Sequence, residues 1–168
     1  DISPVLSEDG FDALHRAVDK GYMEASELLL EAAAAGEARS KDGKTALMIA
    51  VELGDQEAVR LLLDAGADVN ALSSGEGLSA LHYAVQRSRE ICQMLLEEGA
   101  SPDIASLDGT TPLMSAVKRQ VSIDLIDLLL EWGAPVNAQD NQGKTALMMA
   151  AANYNTSMAQ FLLRRGAD

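Results

Sequence analysis

Gly43-Lys44-Thr45 and Gly143-Lys144-Thr145 repeat a tripeptide that also ends phosphate-binding loops. Such a loop wraps backbone N–H groups around phosphate oxygens and needs a further glycine five residues before the Gly-Lys pair. Ala38 and Ala138 occupy those positions, and no strand-like apolar run precedes either copy. Nucleotide binding is therefore set aside. One cysteine, Cys92, and two scattered histidines, His15 and His82, fall short of the ligand set of a structural zinc site. Neither histidine has a recurring neighbour that would make it a general base. Asn155-Thr156-Ser157 fits a glycosylation sequon, which carries weight only in a secreted chain. No catalytic residue, cofactor, metal or small-molecule substrate is expected.

The tripeptides belong to something longer. Aligned on Gly-Lys-Thr-Ala-Leu-Met, the chain shows GFDALHRAV from Gly10, GKTALMIAV from Gly43, GLSALHYAV from Gly77, GTTPLMSAV from Gly109 and GKTALMMAA from Gly143. A second apolar run follows each: 28–30, 61–63, 94–96, 128–130 and 161–163. Then come GADVNA at 66–71, GASPDIA at 99–105, GAPVNA at 133–138 and a final Gly166-Ala167-Asp168. A period near 33 residues, with a Thr-Pro-Leu-Met start at Thr111–Met114, resembles the ankyrin repeat. The resemblance covers nearly the whole chain. It implies an all-α repeat solenoid, with a β-hairpin and two antiparallel helices per repeat, in a curved stack of five repeats.

The residues support this independently. Ala46, Leu47, Ala50 and Val51 recur at helical spacing, as do Ala58, Val59, Leu61, Leu62 and Leu63. Thr45, Ser79, Thr111 and Thr145 stand where a hydroxyl caps the first helix, and Pro112 suits its first turn. Gly66, Gly99, Gly133 and Gly166 stand where a second helix ends at positive φ. Each repeat has too few apolar residues for a private core, so stacking must bury them. We expect one ankyrin domain over 1–168, with a lead-in at 1–6 and repeats at about 7–39, 40–73, 74–105, 106–139 and 140–168. The final Gly-Ala-Asp stops where another hairpin should begin, which reads as a fragment of a longer protein.

Aromatics are only 4% of a chain that is 48% hydrophobic, so the core must be aliphatic. A lone cysteine fits a reducing, intracellular compartment, cytoplasmic or nuclear. No apolar run is long enough to span a bilayer, and DISPVLSEDG opens without the features of a signal peptide. The net charge of −13 argues against nucleic acid, which is bound by neutralising phosphates. Counted by face, acids and bases balance at the expected concave positions, and the acidic surplus falls on the outer helices and turns. The ends of that inner face differ, with repeat 1 acidic and repeats 4 and 5 each slightly basic.

The resemblance implies a non-catalytic protein–protein interaction module, monomeric, binding a protein or peptide on the concave side of hairpin tips and inner helices. The alternatives are a structural spacer, or a substrate-recruiting region of a larger enzyme or adaptor. Partner-binding candidates are the apolar Phe11, Leu53, Leu78 and Leu107, all expected to be exposed, with Tyr83 beside them. Lys44 and Lys144 at hairpin tips join them. So do Arg87, Lys118, Arg119 and Tyr154, around inter-helix turns that are one residue short in repeat 3 and one long in repeat 4. His15 and His82 occupy the family's structural histidine position, and Met48, Met114 and Met148 replace it elsewhere. Asn70 and Asn137 occupy hairpin positions that the family allows to be hydroxylated.

Overall fold

A computed structural model describes residues 16–17, 20–25, 39–40 and 42–168. Eight helices have complete bounds among them, two for each of the repeats from the second to the fifth. These are α1 (Ala46–Leu53) and α2 (Gln56–Asp64), α3 (Ala80–Ala84) and α4 (Arg89–Glu97), α5 (Pro112–Lys118) and α6 (Ile123–Glu131), and α7 (Ala146–Ala152) and α8 (Thr156–Arg164). Each odd-numbered helix packs on its even-numbered partner. The inner helices stack α1 on α3, α3 on α5 and α5 on α7, and the outer α2 packs on α4.

Local chemistry sets the helix ends. Thr45, Thr111 and Thr145 each accept the N–H of a methionine three residues on, at 3.3 Å, satisfying an otherwise orphaned donor. Asp55 and Asn155 cap the outer helices α2 and α8 in the same way. Past the outer helices, Gly66, Gly99, Gly133 and Gly166 sit at φ between 84° and 90°, a region that other residues enter only with strain.

The core is a continuous aliphatic seam between helix layers. The middle leucine of the second run in repeats 2 to 5, Leu62, Leu95, Leu129 and Leu162, is completely buried. Each such burial stabilises by about 1.5–3 kcal/mol, which is why no repeat stands alone. Cys92 shares this seam with Val59 and Ile126. Burial pushes its thiol up to about 12, so it behaves as a small apolar side chain.

The hairpins are tighter than the family name suggests. Each closes with the same pair of bonds: Ser106 N–H to Thr110 O and Gly109 N–H to Ser106 O, repeated at Ser40, Ser73 and Asp140. The arms are too short for a ladder, and among the described residues the only β-type pairing is an isolated antiparallel bridge between Arg39 and Thr45. The tips bond to one another instead. Ser74 N–H reaches Gly43 O, Leu107 N–H reaches Glu76 O and Asn141 N–H reaches Asp108 O. Among the described residues no helix is long and apolar enough to cross a membrane.

Candidate functional site

Hairpin tips stand over the inner helices and leave two adjoining clefts. The first, of about 600 Å³, lies between repeats 3 and 4 and is lined by Glu76, Leu78, Gln86, Leu107, Lys118 and Arg119, among others. The second, of about 490 Å³, lies between repeats 4 and 5, with Gln142, Lys144, Met148, Met149 and Asn153 on its walls. Asp108, Thr110 and Lys118 line both, so the two form one groove.

Leu107 is the most open large apolar residue of this groove, 69% exposed on a hairpin tip. It rests over Gly77, where a Cβ would stand 2.8 Å from Leu107 Cγ. Leu78 is half-buried rather than exposed. Its backbone is tied into the turn, its N–H donating to Ser73 Oγ at 3.0 Å and its carbonyl accepting from Ser73 N–H at 2.9 Å. Leu53 is exposed but lines neither cleft. Phe11 lies outside the described residues.

The cations divide into two kinds. Lys44 Nζ donates to Glu52 Oε2 at 2.6 Å and lies 5.1 Å from the centre of the Tyr83 ring. Burial pulls its pKa down, but the bond and charge of Glu52 outweigh that and leave it raised. Lys44, Glu52 and Tyr83 thus clamp repeat 2 to repeat 3. Lys118, Arg119 and Lys144 are exposed and, among the described residues, in no salt bridge. Arg87 and Tyr154 are exposed too, yet line neither cleft, so these clefts gather only Lys118 and Arg119 of the four residues expected around the turns.

Two of the groove's acids build turns. Asp108 Oδ1 accepts from Ser106 Oγ at 2.6 Å and from Thr110 N–H at 3.1 Å. These bonds hold its carboxyl below the usual 3.8. Asp140 Oδ1 accepts the N–H groups of Gln142 and Lys144 at 2.8 and 2.9 Å. Sequence reasoning missed this role, although an aspartate one residue ahead of Gly109 and another three ahead of Gly143 signal it. It missed Met148 as well, which is 52% exposed and lines the second cleft where Met48 and Met114 are buried.

Three further side chains join repeats. His82 Nδ1 accepts from Ser79 N–H at 3.1 Å, and its Nε2 meets Thr110 O at 2.9 Å. Asn70 donates from Nδ2 to Gly99 O at 3.0 Å and accepts Ser101 N–H at 2.8 Å. Asn137 does the same with Gly166 and Asp168. Ile49 of the inner helix α1 is buried, and the equivalent Tyr83 and Met149 pack partly against the core. This register lies along the seam between inner helices. Among the described residues no three His, Cys, Asp or Glu side chains gather to hold a metal.

Repeated helix pairs, capping hydroxyls and inter-repeat asparagines define a class. The profile of ankyrin repeats in three copies matches residues 1–73 and 81–168, and the chain belongs to the ankyrin-repeat family. Ankyrin repeats are generally protein–protein interaction modules, and the family is generally non-catalytic. Among particular relatives, the B-cell lymphoma 3 protein homolog of Mus musculus is 39% identical over 90 residues, covering 52% of this chain and 20% of that protein. Neurogenic locus notch homolog protein 1 of Homo sapiens is 39% identical over 90 residues, 52% of this chain and 4% of that protein. Ankyrin repeat and SOCS box protein 6 of Pongo abelii is 37% identical over 98 residues, 52% of this chain and 23% of that protein. The match thus spans less than a quarter of each of these relatives.

Proposed function

We propose that this array is a non-catalytic docking module that holds a protein or peptide segment along its hairpin tips and inner helices, the concave side, in a reducing compartment. The observation that carries the reading is the groove across repeats 3 to 5, with Leu107 open on its rim and charged side chains around it. Large apolar side chains ringed by polar ones are what interface anchors consist of. A single exposed leucine is ordinary on any protein. One set on a tip, beside cations in no salt bridge, supports docking over chance.

The test compares proteins captured from cell lysate by the wild-type chain and by Leu107→Glu, once circular dichroism has shown equal helix content. Leu78 is left unchanged, because its half-burial would mix damaged stacking with lost binding. A protein retained by the wild type and lost by the variant supports the reading. Identical capture by both sinks it, and moves attention to the outer helices or to a spacer role.

A further inference from the structure

The groove is unbalanced in donors and acceptors. Asp108 and Asp140 each commit one carboxylate oxygen to their own hairpin. Lys44 is committed as well, to Glu52 and Tyr83. Lys118, Arg119 and Lys144 are in no salt bridge among the described residues, although Lys118 adds to the lowering of the Asp108 pKa. A guanidinium carries five N–H donors and each ammonium three. Glu76, on the wall of the first cleft, is the one lining acid whose carboxylate has no bond among the described residues. In formal charge the lining balances, Glu76, Asp108 and Asp140 against Lys118, Arg119 and Lys144. With the two aspartates tied to their own hairpins, however, the free N–H donors outnumber the free acceptors beside the apolar Leu107 and Met148.

The geometry points to an acidic occupant: an extended peptide segment that rests an apolar side chain on Leu107 and delivers an aspartate or glutamate carboxylate to Lys118 and Arg119. This rests on the docking reading above and adds the chemistry of the partner to it. Arginine takes a carboxylate through two parallel bonds, stronger and more directional than a neutral pair. Lys118 lines both clefts, so the anion sits where they meet. The chain's net charge of −13 acts in the opposite direction at long range. A polyacid lacking the apolar anchor is therefore repelled, and the groove selects a segment that carries both features. Complementarity of this kind decides partner choice more than raw affinity.

Random dodecapeptides displayed on phage and panned on the immobilised whole chain test this. Enriched sequences are expected to combine Leu, Ile, Phe or Met with Asp or Glu. A synthesised winner should bind Lys118→Glu/Arg119→Glu about tenfold or more weakly, and lose as much when its own acids become amides. Lys118→Gln/Arg119→Gln serves if charge reversal alters the circular dichroism. Neutral or basic winners, acidic winners indifferent to both charge variants, or no enrichment each overturn the inference. So does a winner that binds only with phosphoserine in place of its acid. Where the inference fails but Leu107→Glu still abolishes binding, the docking reading stands. Binding indifferent to every groove variant removes both.

Discussion

His82 Nε2 lies 2.9 Å from the carbonyl oxygen of Thr110, so one imidazole ties an inner helix to the hairpin of the next repeat. Its other nitrogen accepts the Ser79 backbone N–H at 3.1 Å. That fixes Nε2 as the protonated nitrogen and the donor. A second proton has to displace the Ser79 N–H.

Acid should therefore loosen the stack before any carboxylate titrates. Burial lowers the His82 pKa below its ordinary 6.5, against the opposing pull of the Thr110 carbonyl and the Asp108 charge. The unfolded chain takes up the proton first. The contribution is complete above about pH 6.5 and is lost as pH falls through the folded value. Thermal melts should show a steeper loss between about pH 7 and pH 5 for the wild type than for His82→Met. Equal slopes would exclude the imidazole as the cause. At neutral pH the same change should cost about 1 kcal/mol, the worth of one lost hydrogen bond.

Two hairpin glycines separate backbone strain from contact between repeats. Gly109 and Gly143 have φ of 82° and 75°, so alanine is strained at both. A Cβ at Gly109 would also stand 2.7 Å from Asn141 N, while at Gly143 it meets nothing within 4 Å. Gly143→Ala should cost about 1 kcal/mol and Gly109→Ala about 2–4 kcal/mol. Urea unfolding of the two variants measures the gap, and matching costs would mean that the tips do not touch.

Tyr154 takes φ of 54° in the turn before α8 although 93% exposed. It stands where repeat 2 has Gly54, at φ of 77°. Nothing is lost from the core by removing it. Tyr154→Gly should raise stability by about 0.5–1 kcal/mol, the relieved strain less the added freedom of the unfolded chain. Tyr154→Ala keeps the strain and should leave stability unchanged. A gain with alanine as well would locate the effect in the ring instead.

Cys92 should resist thiol reagents while the chain is folded. With its pKa at about 12 and its side chain buried, reactive thiolate is scarce near neutral pH. Labelling by an aromatic disulfide should follow the rate of opening, and speed up in urea. Cys92→Val, the residue of repeat 2, should change stability by less than about 1.5 kcal/mol. Rapid labelling of the native chain would mean that the seam between α3 and α4 opens readily.

What was legible in the sequence is what short-range chemistry decides. Thr45, Thr111 and Thr145 cap because their hydroxyls reach an N–H three residues on, and Gly66 or Gly99 ends a helix because φ must turn positive. The groove was legible only in part. Leu107, Lys118 and Arg119 were singled out and do line it, while Arg87 and Tyr154 do not. Lys44 looked like a free tip cation, and its engagement by Glu52 and Tyr83 depends on the register of two repeats. Met148 resembles Met48 in sequence; only its surroundings differ. Contacts spanning about thirty residues leave no local trace, and they decide which side chains stay open.

Leu107 over Gly77, Ser74 over Gly43 and Asn141 over Gly109 are three versions of one joint, each fitted differently. The repeats are thus not interchangeable beads. A duplicated or transplanted repeat brings its own tip to a glycine shaped for another, and each glycine limits what its neighbour can become. Such a chain can lengthen or be recombined only by carrying both halves of a joint together, so the unit of inheritance straddles the repeat boundary.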